Sequence, residues 1–250
     1  MLEDLAAIGP FFAVSSHPPG AAPAAPWRPA TELAFPSSPL RDRVASVRAA
    51  LAARGGRPAS EIEPRVAASA VHLGLTARLI APALGAAVLG CRLDMCPDGL
   101  WWQDVAGGPV PLSVPVTACS TSPGQADEPG EEQVPGDWDR LLIDETVVPV
   151  TAAIAVLVPV SGRVLWGNVA SAVNAAAAQV ARQRPDLAAS AWEAAGDLLG
   201  SPRLRGEPSP PGPAFRRSSC CLFYRLAPGN TSAVCGDCVL AGRGAVRNER

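Results

Sequence analysis

The 250-residue chain has no lysine at all: each of its 21 cationic side chains is arginine, set against 23 acidic residues for a net charge of −2. Alanine and proline are abundant, so arginine without lysine reads as GC-rich coding bias. With no general basic footprint, a protein built mainly to neutralise nucleic-acid phosphates is excluded. There are only two histidines, His17 and His72, and no HExxH run, Ser-His-acid set or glycine-rich phosphate loop. The chain therefore has no equipment of its own for oxidising a nicotinamide nucleotide. Cysteine is too sparse for a disulfide framework, at seven residues, and the number is odd. Long apolar runs are missing too. Val147 to Val160 is the longest, but it contains Pro149 and Pro159 and falls short of the roughly 20 residues that cross a bilayer. The opening Met1-Leu2-Glu3-Asp4 is acidic where a secretory signal is basic. The expectation is a cytoplasmic protein without a transmembrane span, with peripheral membrane contact left open.

What is present is apolar bulk. At 48% hydrophobic and 18% charged residues, a chain of this length buries roughly 70–75% of its unfolded surface and needs no staples. The pattern predicts a helix-rich α+β fold in four parts. Residues 1–37, rich in Pro, Ala and Ser, read as an irregular arm, and residues 38–202 as a helical body. In the body, Ser38-Pro39 starts a helix that ends near Gly55, and Leu40, Val44, Val47 and Leu51 share its buried face. A second helix from about Pro64 to Ile80 is apolar on nearly all sides and should be central; Pro82 should break or kink it. Leu100-Trp101-Trp102 and Val110 to Val116 read as short strands, the latter suited to an edge because of Pro111 and Pro115. Ser120 to Gly136 reads as a solvated loop, followed by helices at about 139–158, 162–183 and 186–199. Residues 203–214 form a Pro/Gly linker, and residues 215–250 stand apart.

Charge changes sign at that linker. Six arginines (216, 217, 225, 243, 247, 250) and two acids (Asp237, Glu249) give the last 36 residues a net charge of +4, leaving −6 on the preceding 214. Four of the seven cysteines lie here: Cys220-Cys221, then 13 residues, then Cys235-Gly236-Asp237-Cys238. A Cys-x-x-Cys turn offers two thiolates to one metal site, and Gly236 is free to adopt positive φ and aim N–H groups at sulfur. Zinc and iron-sulfur clusters both accept four thiolates. Adjacent cysteines close a small chelate ring on one ion with difficulty, whereas a wider two-iron core takes them more readily. Redox thiols or a vicinal disulfide are further alternatives. Cys91, Cys96 and Cys119 lack any such spacing and read as ordinary thiols, His72 as a hydrogen-bonded core histidine, Arg78 as a buried arginine capping carbonyls or pairing with a carboxylate, and Trp101-Trp102 as core.

The phrases RRSSCCLFYRL and CGDCVL resemble the C-terminal hallmark of the FhuF-type ferric siderophore reductases, a Cys-Cys followed at a distance by Cys-x-x-Cys. Arg65-Val66-Ala67-Ala68-Ser69, Ala77-Arg78-Leu79, Leu100-Trp101-Trp102 and Leu165-Trp166-Gly167-Asn168 are similar to the body of its actinobacterial members. The gap of 13 residues exceeds the family's usual ten or so, a lengthening that costs a fraction of a kcal/mol in loop closure. The resemblance implies one [2Fe-2S] cluster on Cys220, Cys221, Cys235 and Cys238, and one-electron reduction of a hydroxamate-type ferric siderophore. It also implies a separate electron-donor protein. Arg216, Arg217 and Arg225 are candidates for guiding an anionic chelate. The competing class is a non-catalytic iron-sulfur or zinc protein that senses iron or binds a partner.

Overall fold

The computed structural model describes residues 1–121, 141–205, 209–227 and 235–240. The expected loop at 120–136 lies almost entirely outside the described residues, as does part of the linker. The fold is helix-rich α+β. Helices α1 (Leu2–Ile8), α2 (Ser38–Arg54), α3 (Pro64–Val88), α4 (Val148–Leu157), α5 (Gly162–Gln183) and α6 (Ala188–Gly200) are joined by two small sheets.

Helix α3 is the axis of the molecule. Val66 to Ser69, Val71, His72, Leu75, Thr76 and Arg78 to Ala86 are all buried, so its apolar side chains meet protein on every side. It is the one helix among the described residues long and apolar enough to cross a bilayer by length and composition, and 72% of its most apolar stretch is covered by the rest of the chain. Of the break or kink expected at Pro82, the break does not occur: α3 runs on to Val88 with Pro82 inside. Proline forfeits one i→i−4 bond and crowds the preceding turn; here the surrounding apolar contacts outweigh that local cost. At Gly85, a Cβ would lie 2.7 Å from Phe12 Cδ1 and 2.8 Å from Leu5 Cδ2, so glycine is what lets the N-terminal segment seat on α3.

Residues 1–37 are correspondingly less irregular than their composition suggests. Leu5, Ile8 and Phe12 enter the core, and Ser15–His17 (β1) and Arg28–Pro29 (β2) join a four-stranded sheet with Trp101–Trp102 (β4) and Leu112–Pro115 (β5). Its order is β1-β5-β4-β2, with β1 parallel to β5 and the other pairs antiparallel. β5 is thus an interior strand, not the edge its prolines suggested. Pro111 falls just outside it and Pro115 at its last position, where the missing N–H interrupts little. Cys91–Leu93 (β3) pairs with Cys119–Thr121 (β6) in a separate ribbon.

The remaining helices fall close to their predicted spans. Ser37 rather than Ser38 caps α2, its Oγ accepting from Leu40 N at 3.2 Å. Helix α5 has the predicted limits, and a 3₁₀ turn over Pro185–Leu187 leads into α6. The helix expected from 139 divides: Leu141–Val147 is a π-helix, and regular α4 follows it. Pro149 has no N–H to return to Glu145 O, which favours a wider turn before it. Arg78 is 2% exposed and binds the carbonyls of Val110 (2.7 Å), Ala13 (2.8 Å) and Phe11, tying α3 to the sheet side of the molecule. Trp102 is fully buried, as expected of a core residue.

Candidate metal centre

The cysteine segment docks on the seam between α3 and the N-terminal half of α5. Arg217 and Ser219 anchor it. Ser219 Oγ donates to Arg163 O at 2.6 Å, and Arg217 reaches Val164 O at 3.2 Å, Asn168 Oδ1 at 2.7 Å and its own segment's Ser219 O at 2.9 Å. From α3, Ser69 Oγ donates to Cys221 O at 2.9 Å, while Asn168 Nδ2 donates to Ser69 O and Oγ, both at 3.1 Å. Gly167 makes the close approach possible. A Cβ there would collide with Ser219 Oγ and lie 3.1 Å from Arg217 Nη2.

The four cysteines lie in this docked segment. Cys221 and Cys238 are each 1% exposed, whereas Cys220 and Cys235 are half-buried. Cys221 Sγ lies 3.4 Å from Cys235 Sγ. Among the described residues no three His, Cys, Asp or Glu side chains are grouped to hold a single ion. Backbone donors serve the sulfurs: Leu222 N reaches Cys220 Sγ and Leu240 N reaches Cys238 Sγ, each at 3.3 Å. The first of these depends on Leu222 itself, which adopts left-handed φ of 72° directly after the vicinal pair. Gly236, expected to supply the positive φ, does not. A non-glycine residue in that region costs about 1 kcal/mol or more.

The contact with Cys235 holds the Cys221 pKa down to about 6, helped by the Phe223 backbone and nearby Arg217 and opposed by burial. The same contact, with burial, pushes Cys235 up, and burial raises Cys220.

Arg217 supplies the strongest sign of an absent anion. Its side chain is 1% exposed and its Nη1 is buried without any hydrogen-bond partner. Every group described as bonding the guanidinium is neutral: two backbone carbonyls and one amide oxygen. A buried cation without a counter-charge is costly. A four-thiolate [2Fe-2S] core carries about −2 when oxidised, so the donor set and its cation fit that group.

Of the arginines expected to surround the site, only Arg217 is built into it. Arg216 is exposed, and Arg225 pairs with Glu63 at 2.6 Å, fastening the segment to the start of α3. Cys91 and Cys96 take no part; Cys91 Sγ lies 3.8 Å from Leu89 O. His72 is fully buried, its Nε2 2.9 Å from Thr151 Oγ1, and burial together with Arg217 holds its pKa down to about 3. Ser69, Gly167 and Asn168 belong to the site, although in the sequence they stand out only as part of a family phrase.

Residues 217–240 match the family model described as the FhuF 2Fe-2S C-terminal domain. The match spans all four clustered cysteines and supports a [2Fe-2S] cluster as the cofactor. No curated protein and no solved structure matches the chain.

Proposed function

We propose, on the premise of a FhuF-type 2Fe-2S domain at residues 217–240, that the protein is a ferric siderophore reductase and that Cys220, Cys221, Cys235 and Cys238 hold its cluster. The observation that carries this reading is the Cys221–Cys235 thiol contact beside the buried, unmatched guanidinium of Arg217. A structural zinc site asks for four ligands on one tetrahedral ion; the adjacent Cys220 and Cys221 suit a wider two-metal core better.

When bound, a [2Fe-2S] cluster with four thiolates supplies a one-electron donor at about −400 mV, far below clusters with histidine ligands. Hard oxygen chelators favour Fe(III) and hold Fe(II) weakly, so a single electron labilises the metal. The chain's own residues set the conditions for this. Leu222 N–H and Leu240 N–H stabilise negative charge on sulfur, and Arg217 does the same from inside the protein. Cys220 and Cys235 remain half-exposed, leaving a short route between the sulfurs and a molecule at the surface. Ser69, Asn168 and Ser219 hold the segment rigid against α3 and α5, which limits reorganisation on a change of charge. With no nucleotide fingerprint in the sequence, the electron comes from a separate low-potential donor protein, and cytoplasmic location, with or without membrane contact, belongs to the same proposal.

The test is anaerobic mixing of chemically reduced holoprotein with ferric trihydroxamate chelates and a ferrous trap. Reoxidation of the visible absorbance with matching Fe(II) capture is expected. Reoxidation no faster than in buffer, with no Fe(II) trapped, would replace this reading with a non-catalytic iron-sulfur protein that senses iron or binds a partner.

A further inference from the structure

A groove of about 630 Å³ runs beside the metal centre, between α5, the start of α6 and the chain at 212–216, and it ends against Gly236 and Asp237. We infer that this groove is the seat of the ferric chelate, and that it selects neutral or anionic oxygen-rimmed chelates over cationic ones. The inference rests on the reductase reading and adds to it a location and a charge preference.

Position is the first argument. Gly236 and Asp237 are the two residues between Cys235 and Cys238, so an occupant of the groove lies directly against the metal-binding turn. Gly236 is exposed and a Cβ there would meet nothing within 4 Å, which leaves that end open.

Chemistry is the second. Arg182 and Arg216 are both exposed along the groove, and neither forms an ion pair with a described carboxylate. One amino group of Arg182 bonds Gln179 and one of Arg216 bonds Phe215 O at 2.8 Å; each guanidinium has further N–H groups to offer. The one carboxylate in the lining, Asp237, is engaged by the Ser171 hydroxyl. A guanidinium is donor-only, and the ligand oxygens on the rim of a trihydroxamate chelate are acceptors, so the two complement each other. Ala178 and its neighbours one turn away present a smooth apolar wall, and half-buried Trp192 adds an aromatic face for the chelator's hydrocarbon links.

Preorganisation is the third. The wall at 212–216 is fixed: Gly212 N donates to Asn174 Oδ1 at 2.8 Å, Phe215 is 1% exposed, and Arg216 N donates to Ser209 Oγ at 3.0 Å. A volume of this size is that of a small-molecule site, too narrow for a folded donor protein.

Gallium(III) chelates have the charge and shape of the ferric ones and accept no electron, so binding is read apart from reduction. Calorimetric titration of holoprotein with a neutral gallium trihydroxamate should saturate at one site. A chelate bearing a free ammonium should bind more weakly, as should the R182A/R216A double variant, by about tenfold or more. Ala178→Trp, which fills the groove, should abolish binding with the cluster spectrum unchanged. Equal affinity in the wild type and both variants, or no binding by the wild type, overturns the inference. If the variants bind gallium chelate normally and the ferric chelate still reoxidises the reduced protein, only the groove assignment fails. If groove variants weaken binding but the ferric chelate never reoxidises the protein, the reductase reading fails and the groove stands as a chelate site.

Discussion

Arg217 Nη2 donates to Asn168 Oδ1 at 2.7 Å, and Asn168 spends its amide nitrogen on Ser69, whose hydroxyl binds Cys221 O. Two core helices and the cysteine segment therefore share one buried polar network. Hydrogen bonds to a charged group each contribute about 1.5–3 kcal/mol, and an orphaned partner costs as much again. Truncating any member affects the others.

Replacing Arg217 with Met removes a buried positive charge next to the sulfurs. The reduction potential should fall by on the order of 50 mV or more, because reduction adds negative charge that the guanidinium no longer offsets. Lys at this position should recover part of the shift. A potentiometric titration followed by electron paramagnetic resonance measures both, and an unchanged potential in the Met variant would remove Arg217 from the electrostatics of the site.

Serine at Cys220, Cys221, Cys235 or Cys238 should strip the protein of most of its iron and sulfide, about two of each per chain in the wild type. Serine at Cys91, Cys96 or Cys119 should leave both contents intact. Iron and sulfide analysis of anaerobically purified variants decides the ligand set, and stoichiometric zinc without sulfide in the wild type would sink the cluster.

Two glycines in helices should respond oppositely to alanine. Gly74 on α3 is exposed with nothing within 4 Å of a Cβ, so Gly74→Ala should stabilise by about 0.5–1 kcal/mol. Gly167 faces Ser219 Oγ, which cannot swing aside without releasing Arg163 O. Gly167→Ala should destabilise by about 1–3 kcal/mol and lower cluster content while the helical circular dichroism persists. Thermal melts with metal analysis compare the two.

Burial keeps His72 neutral, with a pKa of about 3 in the folded protein against the ordinary 6.5. The unfolded chain binds this proton more tightly, so the contribution of His72 to stability is complete above pH 6.5 and declines as pH falls to about 3. The loss amounts to at most about 5 kcal/mol. Denaturant melts between pH 7 and 4 should show this decline in metal-free protein and a shallower one in His72→Gln. Equal slopes in the two proteins would show that His72 titrates normally.

Much of the helical body can be read from sequence because its signals are local: Ser38-Pro39 at the start of α2 (even though the cap itself is Ser37), the apolar surround of α3, Pro185 between α5 and α6. The errors have non-local causes. Pro82 breaks a helix in isolation, but tertiary packing around α3 overrides it. Ser15–His17 carries no strand signal, and becomes a strand only because Ser113, nearly a hundred residues away, lies opposite Ser15 in the sheet. The four cysteines were legible through spacing, a covalent constraint that leaves a mark in the sequence. The burial of Arg217 was not, since an arginine beside a metal segment reads the same whether it faces solvent or core; nor was the groove, whose walls come from three separate stretches of chain.

The docking seam also bears on how the protein matures. Ser69, Gly167 and Asn168 all precede Cys220 in the order of synthesis, so the platform for the cysteine segment has left the ribosome before the first of the four thiols appears. Small zinc domains wait for their metal in order to fold; here the helices that receive the segment have their own apolar core and collapse without it. Iron delivery then becomes a late finishing step on a prebuilt socket, and a cell short of iron would accumulate a folded, unloaded protein ready to be charged.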